Sequence, residues 1–173
     1  MGFWPGRRAL ISPLLIPWVP AFTVWLAMVL QELSLPYTAW SVFRPDLVLI
    51  SLFYWRLYRS DLCGPVLAFI AGLLLDVISG SPLGLNAFSK VVIVLLVGHF
   101  SIRLRAAEFL HLLPVILLLV VLDMFIQLFF FAILHDNAAY MPFFIGRPVA
   151  TMLVMPLVVA ILIHIHKSWL EYS

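Results

Sequence analysis

The chain has 173 residues, of which 65% are hydrophobic and 10% charged, with a net charge of +2 and a mean hydropathy of +1.15. A soluble domain carries roughly 25% charged residues, so this composition cannot cover a water-facing surface and excludes a soluble fold, and the net charge is too small to argue for nucleic acid. The chain reads as an all-α integral membrane protein. Six spans of ~20 residues take about 120 residues and leave no room for a second domain.

In chain order, Arg7 and Arg8 precede an apolar run over about 13–33 whose first turns are crowded by Pro13, Pro17 and Pro20. The polarity is that of a signal peptide, but no small-residue cleavage site follows, so an uncleaved first span is expected. A connection comes next in which Tyr37, Trp40 and Phe43 recur every third residue, suited to the headgroup level. The second run, 46–58, makes only ~20 Å of helix against a hydrocarbon core of ~30 Å. It crosses if the aromatic segment dips into the interface or the bilayer thins. The remaining runs are 64–79, also short, 87–102, 109–134 and 148–165.

Lysine and arginine counts test this division. With the N-terminus inside, Arg7, Arg8, Arg56, Arg59, Arg103, Arg105 and Lys167 fall on the cytoplasmic side, against Arg44 and Arg147 outside, with Lys90 inside a span. That is a strong positive-inside pattern, and it weakens if the second run fails to cross, because Arg103 and Arg105 then move outward. Six spans with both termini cytoplasmic follow. No tandem repeat or low-complexity tract interrupts them.

Between the third and fourth runs lies Asp76-Val77-Ile78-Ser79-Gly80-Ser81-Pro82-Leu83-Gly84-Leu85-Asn86, the densest set of backbone-controlling residues in the chain. Gly80 and Gly84 permit positive φ, and Pro82 cannot continue a helix. A tight turn that faces outside, or dips back into the membrane from that side, is expected, and the formal G-x-x-x-G match from Gly80 to Gly84 is not a helix-packing motif. Nor is it a hydrolase elbow, because Ser79 stands where G-x-S-x-G requires glycine.

Four polar groups lie inside spans, where each needs a partner or a cavity: Asp76, Lys90, Asp123 and Gln127. Asp76 and Lys90 stand about four residues either side of the turn, ~6 Å below the same end of two antiparallel spans. The expectation is an ion pair between them that locks the hairpin. Asp123, roughly 17 Å from the outer end of its span, reads as too deep for Lys90. It shares a helix face with Gln127 and stays open as a proton or ion site, a bonded core group or a contact for a partner's helix. Gly64, Ala68, Gly72 and Asp76, four apart, form one ridge of small residues. That ridge marks span three as central and serves either packing within the chain or a partner helix.

The histidines assemble no metal site by sequence: His164 and His166 point to different faces, and His99 and His111 flank a loop. Cys63 has no histidine near it in sequence, and no phosphate-cradling loop or paired-acid motif occurs, so neither a cofactor nor an enzymatic activity is expected.

Arg44-Pro45-Asp46-Leu47, Tyr54-Trp55, Gly72 to Asp76 and Ser79 to Ala87 together resemble the bacterial rod-shape-determining MreD family. The sharp part of the likeness covers residues 44 to 87; beyond it, length and hydropathy agree. The resemblance implies a non-enzymatic inner-membrane subunit of the cell-wall elongation machinery. Its partners would be the bitopic MreC, and in the wider complex the actin-like MreB, the glycosyltransferase RodA and its transpeptidase. It also implies a bundle of six helices similar to the substrate-binding subunits of energy-coupling-factor vitamin transporters, and hence, as the alternative, a small-molecule-binding subunit. Gly80, Pro82, Gly84, Asn86, Arg44 and Asp46 join the small ridge and the four intramembrane polar groups as structural or partner-contact candidates. A homo-oligomer is left open.

Overall fold

The computed structural model describes residues 18–33, 44–105, 109–134 and 141–169. Within them lie six helices: α1 (Trp18–Glu32), α2 (Leu47–Tyr58), α3 (Pro65–Ser79), α4 (Leu85–Arg105), α5 (Phe109–Leu134) and α6 (Met141–Trp169). No strand occurs among the described residues. By length and apolarity α4, α5 and α6 are each sufficient to cross a membrane, whereas α2 and α3 are shorter apolar helices. The start of the first run, Arg7 and Arg8, both chain termini and the Tyr37, Trp40 and Phe43 connection lie outside the described residues.

Helix directions follow from paired contacts. Gln31 near the end of α1 accepts from Val48 N–H at the start of α2 (3.2 Å), while Thr23, earlier on α1, accepts the indole N–H of Trp55, later on α2 (2.8 Å). Those two helices are therefore antiparallel. Lys90 meets Asp46 and Gly98 meets Arg56, so α4 runs parallel to α2. Thr151 meets Asp46 and His166 meets Tyr54, so α6 does too. Asn86 with Gln127 and Ser89 with Asp123 make α5 antiparallel to α4. The N-terminal ends of α2, α4 and α6 thus share one end of the bundle.

The central helix is α2, a correction to the expectation that span three would be. Val48 to Trp55 and Leu57 are all buried, wrapped by α1, α4, α5 and α6. A helix of twelve residues is only about 18 Å long, but the ~20-residue requirement applies to a helix that meets lipid, and α2 meets protein. Its near-continuous apolar sequence reflects burial on every face. By contrast α3 buries one stripe, Ala68, Ala71, Gly72, Leu75 and Asp76, and exposes Val66, Phe69, Ile70, Leu73, Leu74, Val77 and Ile78.

The small residues on α3 do two different things. A Cβ on Gly72 would overlap the backbone of α4, with Ala87 N at 2.6 Å and the Asn86 carbonyl carbon at 2.7 Å. Ala68 is fully buried as well. This part of the ridge is therefore spent on packing within the chain. Gly64 precedes the helix as its N-cap, and a Cβ there would meet nothing, so it does not belong to the close-packed ridge expected from the four-residue spacing.

Helix α6 starts at Met141, two turns before the expected 148, with Pro148 and Pro156 inside it. Residues 141–145, which precede the expected start of the run, are therefore helical. Similarly α4 extends over Leu85–Arg105 rather than 87–102.

Candidate functional site

The turn between α3 and α4 is built around the Asp76 carboxylate. Gly80 closes α3 in the left-handed region (φ 68°) with its N–H on the Asp76 carbonyl, and Gly84 also has positive φ (96°), as the two glycines suggested. The chain then folds back so that Oδ1 accepts from Ser81 Oγ (2.7 Å), Asn86 N–H (3.0 Å) and Asn86 Nδ2 (2.8 Å). Oδ2 accepts from Gly84 N–H (2.9 Å) and Ala87 N–H (3.4 Å). A carboxylate on one helix thus satisfies the orphan amides that open the next and sits against the positive end of its dipole.

Lys90 is not the partner of Asp76. Its ammonium, fully buried, donates to Asp46 Oδ2 (2.6 Å) and to Asp123 Oδ1 (2.9 Å). The expected depth mismatch assumed that adjacent spans end level. In the structure about 16 Å of helix lies beyond Asp123 on α5 and only about 8 Å beyond Lys90 on α4. The end of α5 overhangs the turn, and the lysine side chain bridges what separation remains.

Asp46 is the N-cap of α2, accepting from Leu49 N–H at Oδ1 (2.9 Å), a role that an aspartate just before an apolar run is suited to. Its Oδ2 takes both Lys90 and Arg147 Nη2 (2.9 Å), and its own N–H donates to Thr151 Oγ1 (2.9 Å). Asp123 accepts from Ser89 Oγ at Oδ1 and from Gln127 Nε2 (2.7 Å) at Oδ2. Gln127 in turn accepts from Arg147 Nη1 (3.2 Å) and donates to Asn86 Oδ1 (3.2 Å). Asn86 joins this cluster to Asp76. One polar network therefore runs through α2, α3, α4, α5 and α6 at the end where α2, α4 and α6 begin.

Its charges balance: two carboxylates, Asp46 and Asp123, meet two cations, Lys90 and Arg147, and Asp76 is answered by a helix N-terminus. Among the described residues no buried side-chain nitrogen or oxygen of this network lacks a partner. Among its charged side chains only that of Arg147 reaches outward, 23% exposed. Burying ions costs several kcal/mol each unless geometry and further hydrogen bonds compensate, and here every acid has at least three donors. Chemically the arrangement can hold five helices in one mutual register.

Asp76, Lys90, Asp123 and Gln127 were legible as buried polar groups, and Asp123 and Gln127 do share a face. Arg147, Ser89 and Thr151 were missed as network members. Arg147 falls among the loop charges if the apolar run starts at Pro148, whereas α6 begins at Met141 and carries it within the helix. Arg44, at the edge of this end, pairs with Glu32 at 3.5 Å. Away from the helices, a direct hydrogen bond from Arg59 holds the Asp61 carboxyl below its usual range, and burial pushes the Cys63 thiol up to about 12. No group of three or more His, Cys, Asp or Glu side chains able to hold a metal occurs among the described residues.

The model of the family described as rod shape-determining protein MreD matches residues 12–168. No solved structure matches the chain.

Proposed function

We propose a scaffolding role for this chain, which belongs to the MreD family of rod shape-determining membrane proteins. In this reading it is a non-enzymatic subunit of the wall-elongation complex in the bacterial inner membrane, binding MreC directly and working near MreB, RodA and its transpeptidase. The observation that carries it is the closed, charge-balanced network of Asp46, Lys90, Asp123 and Arg147. It favours a fixed bundle over one that must open around cargo. The alternation of helix directions supports six crossings, with the network toward the outer face and Arg56, Arg59, Arg103 and Arg105 at the cytoplasmic end.

Because the small ridge of α3 is used against α4, the surface left for the transmembrane helix of MreC is the opposite face of α3, in its outer half. Photoreactive residues at Leu73, Val77 and Ile78 are expected to trap MreC in cells, and capture of lipid alone would count against the proposal. A vitamin-sized ligand that raises the melting temperature of the purified protein would favour instead the transporter-like alternative.

A further inference from the structure

At the opposite end of the bundle the guanidinium of Arg56 is partly buried and has no carboxylate among the described residues. Lys90, Arg147, Arg44 and Arg59 each have a carboxylate within 4 Å, and Arg103 and Arg105 are exposed. Arg56, on the last turn of α2, has none. Its Nη1 donates to the carbonyls of Ser60 and Cys63, both at 3.2 Å, and among the described residues its Nη2 has no acceptor and its buried Nε no partner. The nearest acid in sequence, Asp61, is gripped by Arg59 through two nitrogens, at 3.1 and 3.0 Å, and is not available to it.

The guanidinium is held in place rather than loose. It lies over Gly98 of α4, where a Cβ would come within 2.6 Å of Nε, so the absence of a side chain at 98 is what admits it. Immediately beyond Cys63 the N-terminus of α3 opens on Gly64, which offers no side-chain cap. A partly buried guanidinium with no carboxylate among the described residues, beside an uncapped helix N-terminus, is suited to an anion.

We infer that Arg56 and the start of α3 hold the phosphate of an anionic phospholipid from the cytoplasmic leaflet. This rests on the membrane orientation argued above and not on MreC binding. A phosphate offers several acceptor oxygens, enough for Nη2 and for the amides of Val66 and Leu67, the first N–H groups that α3 presents after Pro65. The lipid source follows from the neighbours: Val66 is 70% exposed and Ile102 82% exposed, with Tyr58 and Phe69 also exposed in the adjoining turns. These are surfaces for acyl chains, which a free phosphate ion would leave uncovered.

The test is native mass spectrometry of the detergent-solubilised protein with added phosphatidylglycerol or phosphatidylcholine, whose choline offsets the phosphate charge. The unsubstituted protein is expected to retain phosphatidylglycerol about tenfold better, the scale of one charge-assisted contact. Arg56→Gln should abolish that preference, and the double variant Arg103→Gln, Arg105→Gln should keep it. The proposal is overturned if Arg56→Gln keeps the preference, if the double variant loses as much, or if millimolar inorganic phosphate displaces the lipid. Should Arg56→Gln not fold, a photoactivatable phosphatidylglycerol on the unsubstituted protein decides. Adducts within residues 56–66 and 98–105 support the site, and adducts confined elsewhere overturn it.

Discussion

Lys90 Nζ lies 2.6 Å from Oδ2 of Asp46, the residue that caps α2, forty-four positions earlier in the chain. The same ammonium holds Asp123, so one cation serves two acids on two other helices. Lys90→Met is therefore expected to be the most damaging single change in the network, on the order of 3–5 kcal/mol. It leaves Asp46 with Arg147 and Asp123 with no cation. Adding Asp123→Asn to Lys90→Met restores charge balance, so the double variant should be less unstable than the sum of the singles by about 0.5–3 kcal/mol. Reversible unfolding in mixed micelles measures this. The Lys90/Asp76 cycle should show clearly weaker coupling, and equal coupling in both cycles would contradict the geometry.

The packing of α3 on α4 makes a sharp comparison between two glycines. Gly72→Ala pushes a Cβ into the backbone of Asn86 and Ala87, which no rotamer change can relieve. The hairpin must open, and with it the amides that Asp76 holds. A loss of about 3 kcal/mol or more is expected, at or above the usual range for overpacking. Gly64→Ala meets open space at negative φ (−101°) and should change stability by no more than about 0.5 kcal/mol. Fluorescence-detected size exclusion after a temperature series separates the two, and similar losses for both would show that the ridge is not packed in this way.

At Asp76 the charge and the acceptor geometry can be tested apart. Asp76→Asn keeps the shape but loses the negative charge at the start of α4, and one of its terminal groups donates where only acceptance fits. A loss of about 1–3 kcal/mol is expected, with Asp76→Ala worse because several amides are then left unanswered. Asn86→Ala removes one of the carboxylate's donors and the link to Gln127, and should fall below Asp76→Ala. Thermal unfolding of the three variants gives the order.

How much of this could be seen beforehand depends on whether a feature is local. The turn was legible because Gly80, Pro82 and Gly84 constrain the backbone wherever they occur, and the four intramembrane polar groups because lipid tolerates few of them. Pairing was not legible, since it depends on relative depth. Asp76 and Lys90 look like partners when counted from a shared turn, yet the overhang of α5 brings Asp123 level with Lys90 and leaves Asp76 to the amides of α4. The centrality of α2 was hidden for a related reason. Its shortness looked like a defect in a span, when it is what a helix enclosed by protein can afford.

Cys63 provides a probe of the loop between α2 and α3. The thiol is buried with Sγ 3.8 Å from the Leu52 carbonyl, and burial raises its pKa from 9.0 to about 12. The folded protein therefore favours the protonated thiol, while the unfolded chain ionises near 9. This contribution to stability is complete below pH 9 and declines as pH rises from there toward 12. Two results are expected. Iodoacetamide should leave Cys63 unmodified in the folded protein at pH 8 and react once the chain is unfolded, because the thiolate is the nucleophile. Stability measured between pH 8 and pH 10.5 should also fall less steeply in Cys63→Ala than in the unsubstituted chain, since alanine has no proton to lose. Rapid alkylation of the folded protein would mean that the 59–64 loop opens readily, and the anchoring of Arg56 on the Cys63 carbonyl would then fail with it.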